Sequence, residues 1–162
     1  MRIFKKILIT LLVGSLIIGS LTACSKGSES KDGENPPVAD IEKKIGAATQ
    51  LKYLEKVNEE TLNALYGISK DEVSEYIGYY SPMNVKADEI IVIKAKDKKD
   101  MPALKEKIQK RVKMQDDAFK RYLPEVYDLI QNHVIKENGK YIIMTISPDA
   151  EAIAKAFNES LK

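Results

Sequence analysis

From residue 38 onward the apolar positions switch between helical and strand spacing, and each stretch predicts an element. Ile41, Ile45 and Ala48 recur at i, i+4, i+7 and predict a helix over 38–49. Asn58 has the character of an N-cap, with Glu59 and Glu60 in the first turn where acids suit the helix dipole. Leu62, Leu65 and Tyr66 give that helix an apolar face and Gly67 ends it. Ser69-Lys70-Asp71-Glu72 has capping-box spacing and predicts another short helical turn. Val73, Tyr76, Ile77 and Tyr80 would share its face. Gly78 and the paired tyrosines predict that it gives way to a strand near Tyr76, ending at Pro82.

The β-branched run Ile90 to Ile93 predicts a buried strand over 88–95, followed by a charged turn over 96–100. Leu104, Ile108, Val112, Gln115 and Phe119 then mark one long helix over 101–122, broken at Leu123-Pro124. Val126, Leu129 and Ile130 mark a short helix after it. Residues 133–136 and 141–146 read as a hairpin turning at Asn138-Gly139. Ser147-Pro148 predicts a helix start, and Ile153, Ala154, Phe157 and Leu161 share the face of the closing helix.

This order of elements predicts an α+β fold. It is a two-layer sandwich of a mainly antiparallel four-stranded sheet with helices packed on it, preceded by N-terminal helices. Strand alternation gives the sheet two apolar faces. Ile142, Met144 and Ile146 point one way; Tyr141, Ile143 and Thr145 point the other. Two readings of the second face stand. The helices of 38–66 cover it, or it is a partly open aromatic surface offering Tyr76, Tyr80, Tyr141 and Ile143 to a ligand or partner.

The beginning of the chain follows other rules. Arg2, Lys5 and Lys6 precede an uncharged run over 7–21 that is short for a membrane span, the layout of a secretory signal. Leu21-Thr22-Ala23-Cys24 resembles the lipobox of bacterial lipoproteins. The resemblance implies a lipoprotein signal peptide over 1–23, cleavage before Cys24 and acylation of its thiol. Residues 24–37 carry no large apolar side chain and read as a flexible tether, leaving 38–162 as a single domain. Cys24 is the one cysteine, so the domain has no thiol for disulfides, thiolate metal sites or cysteine catalysis.

Removing the leader also changes the charge. The whole chain has 26 basic and 24 acidic residues, and three of the basic ones lie in the leader. The slight basicity is therefore no argument for nucleic acid.

The segments Leu65-Tyr66-Gly67-Ile68, Asp88 to Asp97, Phe119 with Tyr122 and Pro124, and Gly139-Lys140-Tyr141 are similar to a family of short lipoproteins from Gram-positive bacteria, catalogued as a domain of unknown function. The resemblance spans most of 50–160. It implies a lipoprotein and transfers no catalytic residue.

Candidate chemistry is sparse. His133 is the one histidine and reads as structural. Asp116 and Asp117 diverge by about 100° on a helix and do not converge on one atom. No metal-ligand spacing, phosphate-binding glycine loop or nucleophile elbow appears, so no cofactor and no metal are expected. Residues 94–113 hold nine Lys or Arg against three acids. There Lys105, Lys107, Lys110, Arg111 and Lys113 are either the exposed side of a lysine-rich helix or contacts to anionic head groups or an anionic wall polymer. The expected function is a non-catalytic binding or interaction module, lipid-anchored through Cys24 on the extracytoplasmic face of the cell membrane, with a protein or cell-wall partner. The alternative is an extracytoplasmic hydrolase acting on cell-wall or peptide material.

Overall fold

A computed structural model describes residues 36–162. The expected signal peptide, Cys24 and nearly all of the tether lie outside the described residues. Helix α1, Val38–Ala48, comes first, followed by a two-residue strand β1, Glu55–Lys56, and helix α2, Glu59–Tyr66. Strands β2, Val73–Tyr80, and β3, Glu89–Ala95, precede the long helix α3, Met101–Phe119, and α4, Pro124–Gln131. Strands β4, Val134–Asn138, and β5, Tyr141–Ile146, lead into α5, Ala150–Ser160.

The expected α+β class holds. The sheet has five strands rather than four, all antiparallel, in the order β1-β2-β3-β5-β4. The additional strand is β1. Both its residues are exposed, so no apolar alternation marks it. It exists because Glu55 and Lys56 pair with Tyr80 and Tyr79 while the Val57 amide donates to the Gly78 carbonyl at 2.8 Å.

The helical turn expected near Ser69 is a single 3-10 turn, Lys70–Glu72, with a complete capping box. The strand begins directly after it at Val73, not near Tyr76. Pairing with β3 outweighs the local helical spacing of Val73, Tyr76, Ile77 and Tyr80.

Helices lie on both faces, so the layers number three where the sequence predicts two. Ile91, Ile93, Ile142, Met144 and Ile146 pack with α2, α3 and α4 through Leu62, Leu104, Ile108 and Ile130. On the other face Ile77, Ile90, Val92, Tyr141 and Ile143 pack with α1 and α5 through Val38, Ile41, Ile45, Ile153 and Phe157. The second face is thus covered, by α1 and α5 rather than by α1 and α2. Each large side chain buried there contributes about 2 kcal/mol, so this layer is firm.

Helix ends follow their local chemistry. Asn58 accepts from the Thr61 amide at 2.8 Å, and Gly67 closes α2 in the left-handed conformation at φ 62°. α5 starts at Ala150 with Asp149 at its N-cap, so the Ser147 expected as cap sits one turn earlier and accepts from the Asp149 amide.

Candidate functional site

The ends of the sheet are defined by register. At one end Val73 pairs with Ala95, and Lys94 with Tyr141. At the other Tyr80 pairs with Glu89, and Glu89 with Ile146. Seven residues of β3 separate them, about 20 Å. The chain enters the domain at the first end. There the Tyr141 hydroxyl donates to the Pro36 carbonyl, and the Val38 amide donates to the Glu75 carboxylate at 2.8 Å. Lys94 pairs with the same carboxylate at 2.6 Å and lies 5.5 Å above the Tyr141 ring.

The opposite end is open. The β2–β3 loop is held by its own hydrogen bonds, Ser81 amide to Asp88 carbonyl at 2.8 Å and Lys86 amide to Met83 carbonyl at 3.0 Å. It stands between two grooves. The first, about 460 Å³, is walled by Tyr53, Leu54, Met83, Ile90 and Ile146, with Lys86, Asp88 and Asp149 supplying charge. The second, about 670 Å³, is walled by Val85, Leu123, Val126 and Leu129, with Pro124 beside them. Lys86, Asp88 and Pro148 belong to both.

Large apolar side chains are left in solvent here: Tyr53 is 73% exposed, Met83 52%, Val85 38% and Tyr122, next to Leu123, 66%. Thr49 donates to Asp149 at 2.8 Å and ties the loop after α1 to the start of α5 across the first groove. The arrangement offers apolar surface with a few charges. It can bind; it does not gather an acid, a base and a nucleophile around one point.

The residues singled out in the sequence lie elsewhere. Tyr141 and Ile143 are buried beneath α1 and α5 and present no surface. Tyr76 and Tyr80 are partly buried against the opposite core, with Lys70 5.2 Å over the Tyr76 ring and Glu55 accepting from the Tyr80 hydroxyl. The four therefore do not form one surface; sheet alternation sends them to different sides. Tyr79 donates to Glu42, and burial together with that hydrogen bond pushes its pKa up to about 12.

The basic run on α3 is largely paired. Lys105 meets Glu137 at 2.6 Å, and Lys107 meets Glu72 and the Gly67 carbonyl. Lys113 meets Asp117 at 3.2 Å, while Lys110 is exposed. Arg111 turns inward. Its guanidinium grips Glu89 at 2.6 to 3.1 Å, and Gln115 adds a hydrogen bond at 3.0 Å. Glu89 is 1% exposed. Burial opposes the Arg111 charge, but the Glu89 hydrogen bonds and charge outweigh it and raise its pKa. Beside them the Tyr66 hydroxyl is enclosed. Burial first, and the Glu89 charge next, hold its proton far above the ordinary range. This closed group reads as structural.

His133 accepts or shares a proton with the Ile130 carbonyl at 2.8 Å, Asp116 accepts from Gln131, and Asp117 pairs with Lys113 and Lys120. Among the described residues no group of three or more His, Asp or Glu is placed to hold a metal ion, and no helix is long and apolar enough to cross a membrane.

The two grooves were not legible as a site, because four separate loops build them. The available signal was Tyr53, Met83, Val85 and Tyr122 set among turn residues. Compared with known proteins, no curated protein and no solved structure matches the chain. Residues 47–147 match a protein family described as Domain of unknown function (DUF4358). The matched stretch holds the whole sheet with α2, α3 and α4. α5 and all but the end of α1, the cover of the second face, lie outside it.

Proposed function

The chain belongs to the DUF4358 family, and from that premise we propose that it is a lipid-anchored, non-catalytic binding module on the outer face of the cell membrane, a member of a set of short Gram-positive lipoproteins. Cys24 is the acylation site in this reading, with residues 24–37 as the tether. The lipobox-like Leu21-Thr22-Ala23-Cys24 supports the anchor.

One observation carries the binding half. Exposed large apolar side chains gather around two grooves at the end of the sheet away from Pro36, where the tether joins. A contiguous apolar patch of this kind on a soluble domain commonly marks an interaction surface. The hydrolase reading asks for convergent polar groups in a concave site. In the first groove Asp149 is already engaged by Thr49, which favours binding over hydrolysis.

The anchor is tested by metabolic labelling with radioactive fatty acid. The wild-type chain takes up label, and Cys24→Ser takes up none and accumulates unprocessed. Label persisting on Cys24→Ser overturns the anchoring claim.

A further inference from the structure

We propose that the surface around the β2–β3 loop takes an extended segment of a partner polypeptide, with an apolar side chain in each groove and a charged pair between them. This rests on the binding-module reading and names the partner class.

The two grooves are one trough, because Lys86, Asp88 and Pro148 wall both. A compact ligand fills one side and leaves the other in water. Tyr53 and Met83 line the first side; Val85 lines the second, with Tyr122 adjoining it through Leu123. Only an elongated occupant covers both. At the shared wall it meets a cation and an anion two residues apart, Lys86 and Asp88. A segment carrying one charge of each sign in its middle satisfies both, whereas a singly charged ligand leaves one unmatched.

The position fits a polypeptide partner better than the anchoring bilayer. Residues 1–35 join the domain at Pro36, beside Tyr141, and the trough lies at the far end of a strand of about 20 Å. The loop is also ordered in advance by the Ser81–Asp88 and Lys86–Met83 backbone bonds, so little ordering cost is left for binding.

The test uses the full chain in phosphatidylcholine nanodiscs and fluorescence anisotropy with three labelled peptides, LLEKLL, LLKELL and the neutral LLSSLL. One charged order binds saturably, at least tenfold more tightly than the neutral peptide. Tyr53→Ser and Val85→Ser, one on each side of the loop and both exposed, each weaken it at least fivefold. Replacing Lys86 and Asp88 together by Ser removes the difference between charged and neutral peptides.

The inference is overturned if no peptide saturates, if the neutral peptide binds as well, or if one side's substitution is without effect. The last result points to a small apolar ligand in a single groove. Fatty-acid label on Cys24 is read in the same preparation, so a labelled chain that ignores the peptides rejects this partner class and leaves the anchor standing.

Discussion

Arg111 illustrates how much one residue's meaning depends on its neighbours. Counted along the chain it belongs to a basic run. Placed in the fold it is the inward counter-charge to Glu89, whose carboxylate is almost wholly removed from water. Removing one partner of such a pair strands the other, which costs far more than the pair contributes. Arg111→Met is therefore expected to lose about 3 to 5 kcal/mol in urea unfolding, the range for breaking a buried pair. Adding Glu89→Leu to it recovers most of that loss. If the single variant is near wild type, the pair is not closed to water as described. Lys110, one residue earlier, is exposed and carries no such consequence.

At the scale of elements, β1 and β2 depend on an atom that is missing. A Cβ on Gly78 would stand 2.6 Å from Ile91 Cδ1 and 2.7 Å from Val57 Cγ2. Real contacts do not approach so closely. The bare backbone lets Val57 cross over β2, which brings Glu55 and Lys56 into register with Tyr80 and Tyr79. Gly78→Ala is expected to cost about 1 to 3 kcal/mol by overpacking, read from chemical denaturation. Amide exchange should rise first at Val57, whose N–H is bonded to Gly78 itself. Unchanged exchange there would mean the edge does not rely on this contact.

Across the whole molecule, the place where the chain enters is tied to the middle of the sheet. Burial alone would raise the Glu75 pKa, but hydrogen bonds from Lys94 and the Val38 amide bring it below the ordinary carboxylate value. The carboxylate therefore stabilises the fold above the pKa it has in the unfolded chain. That contribution is lost as pH falls through the lower, folded value. Amide exchange in the first turn of α1 should quicken as the pH drops below the usual carboxylate range, ahead of exchange in β3. Glu75→Gln should show the faster exchange already at neutral pH and lose the acid dependence. An acid response that survives in Glu75→Gln would place the sensitive group elsewhere. A tether that pulls on the domain in the proposed arrangement pulls on β2, β3 and β5 through this cluster, at the end away from the trough.

Periodicity and caps are local properties, and they were enough for the helices, the four longer strands, the α+β class and the core stripe from Leu104 to Phe119. Those features depend on spacings within a few residues, which any reader of the chain can measure. Tertiary structure decided the rest. β1 exists only by pairing, and the second face is closed by two helices from opposite ends of the chain, which meet because β5 delivers α5 beside α1. The fate of Tyr141 and Ile143 followed from that closure, since an alternating strand can assign a side chain to a face but not say what lies over it. The trough was beyond the sequence for the same reason. Its walls come from loops joined only by the register of β2, β3 and β5, and register is a relation between distant residues that no local pattern encodes.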